Sequence, residues 1–378
     1  MTEQTESQPS RRQRGATRPW GIARVALPAL LAWGLLACSA PAAGPAAPAK
    51  PAPAAPASGQ APAAAAAPTS APAPAQLTTV NLSLPSTGAT TVIMTMAEDE
   101  GFYARQGLHV ESTFYQGGPP ALQAMVAGAA DLTLQITGTT LNAIANGADL
   151  AIVAGQQADP DYQFYARPEI TSGRELAGKR IASADPGSEL NTFVRRMMAV
   201  YGLTPDDYDL VSVGSTATRY AALTAGAVDA TLLQAPFIFD AQDRGLRHLG
   251  SVSEAVPKYM FTTIATKRDW AGQNADTVVR FIRGYQEFLV WMADPAHKDA
   301  IVQHWIDVSK SSPEAAAKTY DLYMTGPLKD KVISPRAEVD RAGLQAVIDL
   351  MLEADILKRP LTVDQVLDLS YWERASQR

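Results

Sequence analysis

Cysteine is almost absent: the 378-residue chain holds one, Cys38, and none follows it. Disulfides, thiolate metal sites and a cysteine nucleophile are therefore excluded from the rest of the chain. Histidine is scarce too. His109, His248, His297 and His304 form no H-E-x-x-H motif, and the last two fall on expected surface helices. No G-x-S-x-G elbow, Walker loop or dinucleotide fingerprint occurs. Basic surplus is missing as well. Six basic and two acidic side chains lie in residues 1–76, which leaves 26 basic against 36 acidic, a net of −10, for residues 77–378. An acidic body argues against nucleic-acid binding, because neutralising phosphates needs excess Lys and Arg. After residue 76 no stretch approaches eighteen uninterrupted apolar residues, so the body is expected to be soluble. What is present is ample apolar material: 47% hydrophobic against 19% charged. That rules out wholesale disorder, and the length suits two domains or one large one.

The first 76 residues read as an address and a tether. Arg11, Arg12, Arg14, Arg18 and Arg24 precede an apolar run of thirteen residues, Val25 to Ala37. A basic flank and a run too short to span a bilayer make an export signal, residues 1–37. The run ends in Leu35-Leu36-Ala37-Cys38, which resembles a bacterial lipobox. That resemblance implies cleavage before Cys38 and its lipidation; an ordinary secretory peptide with an incidental cysteine is the other reading. Ser39 to Gln76 is almost wholly Ala and Pro. Frequent proline blocks helix and alanine builds no core, so 38–76 is expected to be a semi-extended spacer behind a membrane anchor.

From Leu77 the pattern alternates. Strands are expected at 78–84, 109–115, 131–136 and 150–155, with helices at 91–100, 121–127 and 139–145 between them. After the polar stretch Gln156–Asp161 the alternation restarts, with strands at 162–166, 180–184, 209–213 and 230–233. Helices fall between them and at 236–244. An extended segment, 260–266, precedes long helices at 278–292, 296–305, 313–323, 336–354 and 363–369. Repeated βα units make a mostly parallel sheet flanked by helices. The expected fold is therefore α/β with two lobes: 77–157 plus 262–378, and 158–261. Two chain crossings form a hinge, and the cleft lies at the C-terminal ends of both sheets, where open α/β sheets bind ligands.

Several stretches match one family. Glu100-Gly101-Phe102-Tyr103-Ala104-Arg105-Gln106-Gly107-Leu108 resembles its "GFF-x-x-x-GL" signature. Ala127-Gly128-Ala129-Ala130-Asp131 and Ala225-Gly226-Ala227-Val228-Asp229 resemble its "AG-x-x-D" step, once in each lobe. Leu176-Ala177-Gly178-Lys179 and Gly202-Leu203-Thr204-Pro205 match in order and spacing. The family is the solute-binding proteins of bacterial ABC importers, in the sulfonate, nitrate and thiamine-precursor (pyrimidine) group. The resemblance implies the periplasmic binding protein fold of the second type, a small-molecule ligand and the transmembrane subunits of a permease as partner. The motifs themselves read mainly as scaffold.

Candidate contacts lie in loops at strand C-terminal ends. The first lobe offers Ser86, Thr87, Gly88, Gln116, Gly117, Gly118, Thr137, Gly138 and Thr139, with Gln156 at the crossing. The second offers Gly187, Ser188, Glu189, Thr216, Arg219 and Gln234. Helix N-termini at these loops favour an acceptor or anion. Ser86, Thr139, Ser188 and Thr216 read equally as N-caps. Arg219, one turn into its helix, reads as a bidentate partner for a carboxylate, sulfonate or phosphate, or as a surface salt bridge. Gln116 and Gln234 read as solvated or structural side chains as well as contacts. Tyr115, Tyr162 and Phe164 flank the cleft as stacking candidates or core. No metal, cofactor or catalytic residue is expected, and the chain is expected to be monomeric. The leading reading is a lipid-anchored importer receptor for a small organic anion or nitrogen heterocycle. The rival is an enzyme on the same fold, such as a thiamine-pyrimidine synthase, against which the cysteine-free body counts.

Overall fold

The computed structural model describes residues 77–377 apart from Asp185, Gly187, Pro257, Pro327 and Asp330. All of them fall in one compact unit, Ser70–Arg378. The export signal, Cys38, the spacer and Gly187 lie outside the described residues.

Ten strands form two five-stranded sheets. The first sheet takes β1 (Thr78–Leu84), β2 (Leu108–Phe114), β3 (Leu132–Ile136), β4 (Leu150–Gln157) and, much later, β10 (Thr262–Lys267). Its order is β2-β1-β3-β10-β4. The second takes β5 (Gln163–Ala166), β6 (Arg180–Ser183), β7 (Asp209–Ser212), β8 (Ala230–Leu233) and β9 (Arg247–Ser251), in the order β7-β6-β8-β5-β9. In each sheet one strand alone runs backwards. β10 pairs antiparallel with both β3 and β4, and β5 with both β8 and β9. Both sheets are thus mixed. The chain passes from one to the other between β4 and β5, and returns between β9 and β10.

The apolar content of the strands explains why both sheet faces are covered. Alternate residues point to opposite sides. Ala151 and Val153 of β4 join one hydrophobic cluster, and Leu150 and Ile152 the other. Tyr165 and Phe164 of β5 divide in the same way. Each cluster therefore runs continuously across both sheets. One contains helices 89–99 and 275–292 with Trp305; the other contains helices 190–200 and 341–353. Gly101 and Gly107 sit at φ 73° and 72°, a left-handed backbone that glycine adopts without strain.

Several expected elements differ. β9 was not expected: Arg247-His248-Leu249-Gly250-Ser251 holds no β-branched residue, and its edge position tolerates that. Helix 336–354 begins only at Arg341. The residues before it lie along β4 instead, where the Gly155 N–H donates to the Ala337 carbonyl at 2.9 Å and the Ser334 N–H to the Gln156 carbonyl at 2.9 Å. The helix expected at 313–323 ends at Tyr320 and continues as a π-helical turn, Asp321–Thr325. His304 is not a surface residue. It is buried, with Nε2 2.9 Å from the Thr95 hydroxyl and 3.1 Å from the Val92 carbonyl, and it ties helix 298–309 to helix 89–99.

Candidate functional site

The same edge of both sheets closes on one cavity of about 30 Å³. Because β5 and β10 run backwards, their first residues meet the last residues of the others. Pro85 and Ser86 follow β1, Gly117 and Gly118 follow β2, and Ile136 and Gln157 end β3 and β4. Phe261 and Thr262 open β10, and Tyr162 precedes β5. Ser188, Gly214, Ser215, Thr216 and Gln234 follow the parallel strands of the second sheet. Helices 89–99, 118–126, 137–145, 190–200 and 216–224 all begin here. The partial positive charge of their N-termini converges on the edge.

Arg219 decides the electrostatics. It is 2% exposed, among the largest fully buried side chains, and lines the cavity. The surface salt bridge expected as one reading is therefore corrected: helix 216–224 turns this face inward, and no carboxylate among the described residues pairs with it. Its N–H groups go to backbone instead. Nη1 donates to the Gly214 carbonyl, Nε and Nη2 to the Leu232 carbonyl at 3.4 and 3.3 Å, and Nη2 also to the Thr216 hydroxyl at 3.1 Å. The Tyr162 ring lies 5.8 Å from the guanidinium carbon. Burial lowers the Arg219 pKa, with Tyr162 opposing. A guanidinium nonetheless keeps its proton. A buried cation without a counter-ion is a costly arrangement that an incoming anion relieves.

Loops from the two sheets touch at several places, the Ala89 N–H donating to the Ala235 carbonyl at 3.1 Å among them. Ser215 donates its hydroxyl to Gln116 Oε1 at 2.9 Å. The Gly138 N–H, in the first turn of helix 137–145, donates to Glu189 Oε2 at 2.8 Å. Gln234 Oε1 lies where a Cβ on Gly88 would come within 2.8 Å. Glu189 is 2% exposed and its Oε1 has no partner. Burial pushes its carboxyl up to about 8, against the opposing pull of the Gly138 N–H.

Of the candidates, Ser86, Gly117, Gly118, Ser188, Thr216, Arg219 and Gln234 line the cavity. Gln116, Gly138, Glu189 and Gly88 form the contacts between the sheets. The others stand further back. The Thr87 carbonyl accepts from the Ser309 hydroxyl at 2.7 Å, and the Thr137 hydroxyl reaches Thr263 at 3.4 Å. The Thr139 hydroxyl is buried without a partner. Gln156 accepts from the Thr262 hydroxyl and donates to the Thr90 carbonyl at 2.8 Å, so it braces the wall. The N-cap readings shift. Ser215, not Thr216, caps helix 216–224, Gly88 precedes helix 89–99, and Thr139 lies inside its helix. Gln234 is buried, not solvated. Of the three aromatics Tyr162 alone reaches the cavity; Phe164 is core, edge-on to Tyr201.

Sequence reasoning missed Gln157 and Asp161. Asp161 is 4% exposed and accepts from Gln157 Nε2 at 2.8 Å, from Gln234 Nε2 at 2.9 Å and from the Tyr323 hydroxyl. In sequence it looked like part of a polar crossing. Tyr323, 162 positions away, gave no local signal.

Residues 89–297, a little over half of the chain, match the family described as NMT1/THI5 like. The chain is 24% identical over 234 residues to the "Putative binding protein YtlA" of Bacillus subtilis (strain 168), covering 60% of this chain and 70% of that one. The periplasmic nitrate-binding protein NrtA from Synechocystis PCC 6803 is a structural neighbour, with a TM-score of 0.68 at 15% identity, over 80% of this chain and 89% of that one. The alkanesulfonate-binding protein SsuA from Xanthomonas axonopodis pv. citri, bound to MOPS, gives 0.63 at 20% identity, over 79% and 100%. At such identities the likeness shows the fold, which is that of periplasmic binding proteins.

Proposed function

The chain belongs to the NMT1/THI5-like family, and we propose that it is the solute-binding protein of an ABC importer, taking a small anionic solute into the cavity between its two sheets and delivering it to the permease. One observation carries this reading: Arg219 stands buried at the cavity wall with no acidic partner, amid converging helix N-termini. Residues 77–157 with 262–378 form one lobe and 158–261 the other, and the two crossings act as the hinge. The contacts Gln116–Ser215 and Gly138–Glu189 belong to the closed form. Binding favours closure only by the ligand's differential affinity for that form, and Arg219 supplies the difference. Two structural neighbours are named for nitrate and alkanesulfonate binding, which fits an anionic solute here. Export by residues 1–37 and lipid anchoring at Cys38 fit delivery at a membrane. The relatives are named as binding proteins, and the enzyme alternative, a precursor synthase, finds no support among them.

Calorimetry on the full chain with nitrate, short alkanesulfonates, small carboxylic acids and N–H heterocycles tests the reading. One class is expected to bind, and Arg219→Met to weaken it at least 30-fold, as truncation of a buried charge partner does. Flat titrations throughout, or an unchanged affinity in the variant, overturn it.

A further inference from the structure

The cavity presents acceptors as well as a cation, and their orientation is fixed from behind. A carboxylate only accepts hydrogen bonds. Asp161 Oδ1 takes Nε2 of both Gln157 and Gln234, at 2.8 and 2.9 Å. Each glutamine therefore turns its amide nitrogen to Asp161 and its carbonyl oxygen away. Gln157 Nε2 is held a second time by the Asp159 carbonyl at 2.9 Å. Both glutamines line the cavity. Gln157 Oε1 is buried without a partner, and Gln234 Oε1 has only the Thr216 hydroxyl at the long distance of 3.5 Å. Tyr323 and the strand ends keep Asp161 in place, and no Lys, Arg or His among the described residues pairs with it.

We propose that Asp161 is a positioning residue that sets ligand choice: by locking the Gln157 and Gln234 amides it selects solutes that carry N–H donors beside their anionic group. The inference rests on the binding reading above and narrows its ligand class. An oxyanion that only accepts, such as nitrate or a simple sulfonate, satisfies Arg219 but leaves Gln157 Oε1 stranded. A buried acceptor left unpaired opposes binding, and sites built around such a group discriminate strongly against analogues lacking the hydrogen. A small acid with a ring or amide N–H answers both walls at once.

Two acids of nearly equal shape isolate the effect. Pyrrole-2-carboxylate has an N–H where furan-2-carboxylate has a ring oxygen. In calorimetry on the full chain, with nitrate and methanesulfonate alongside, the pyrrole acid is expected to bind roughly 10- to 100-fold tighter than the furan acid. Asp161→Leu keeps roughly the shape but accepts no hydrogen bond, so the Gln234 amide can turn over while the Asp159 carbonyl still holds Gln157; the ratio is expected to fall by about threefold or more. Tyr323→Phe removes a bond to Asp161 yet leaves both amides gripped, so it is expected to lower stability and keep the ratio. Circular dichroism checks that both variants fold. Furan acid, nitrate or methanesulfonate binding as tightly as the pyrrole acid overturns the inference, and so does an unchanged ratio in Asp161→Leu. Binding without discrimination refutes this inference alone, whereas no binding by any of the four ligands counts against the binding reading and this inference together.

Discussion

Replacing Glu189 by glutamine is expected to remove a stability loss that the native chain suffers as pH rises from about 4.5 to about 8. The carboxyl is 2% exposed, its Oε1 is unpartnered, and burial pushes it up to about 8. In the unfolded chain it returns to the ordinary value of 4.5. Between those values the folded protein holds a proton that the unfolded chain has released. The folded state thus binds more protons there, and stability falls as pH rises. The contribution is complete below about pH 4.5 and gone above about pH 8. The gap from 4.5 to about 8, at 1.36 kcal/mol for each pH unit, sets a ceiling of about 5 kcal/mol. Opening of the contact with Gly138 would release part of that without unfolding. Glu189→Gln resembles the protonated form and does not titrate. Urea melts of both proteins at pH 5, 6.5, 8 and 9 should give a difference that grows in the variant's favour by a few kcal/mol. Other titrating groups, such as His109 raised by its bond to Glu98, cancel in that difference. A difference that stays constant across the range, or one that grows in the native protein's favour, refutes the reasoning.

Three further outcomes follow from close contacts. Gly138→Ala would place a Cβ 2.4 Å from Glu189 Cδ, so the buried Glu189 carboxyl must shift and its bond to the residue 138 N–H is broken. Ligand affinity is expected to fall at least tenfold while the melting temperature of the ligand-free chain changes little. Gly155→Ala would set a Cβ 2.0 Å from the Glu338 carbonyl oxygen, backbone against backbone. Overpacking of this kind costs about 3 kcal/mol, read as a lower urea midpoint with an unchanged slope. Trp305→Phe removes a 3.0 Å hydrogen bond to the Ala89 carbonyl and leaves a void. A loss of about 2 kcal/mol is expected in the same melts, without effect on ligand preference once the chain is folded.

The sheets were legible because their strands are short apolar runs closed by Gly, Pro and Ser. The site edge followed from strand direction alone. What could not be read was the partnering of side chains across the chain. Arg219 sits in Thr216-Ala217-Thr218-Arg219-Tyr220, a stretch with no apolar stripe to mark an inward face, so its burial was invisible. Ser215 and Thr216 are chemically similar caps, and a one-residue shift at a helix start lies below what spacing resolves. Asp161 gains its meaning from residues 4, 73 and 162 positions away. The late helix start at Arg341 reflects tertiary override: the Ser334 N–H and the Ala337 carbonyl bond to β4, which holds this stretch out of a helix.

The placement of β10 has a consequence for assembly. Every strand of the second sheet lies within residues 163–251, so that sheet can form as soon as its own segment is available. The first sheet cannot. β3 and β4 never pair with each other and wait for Thr262–Lys267 to fill the gap. Until then each offers an open row of N–H and C=O groups along a fully apolar or buried strand, the kind of edge that recruits stray chains. A nascent or truncated chain ending before Thr262 is thus the aggregation-prone species of this protein, and its middle third is the part ready to mature first.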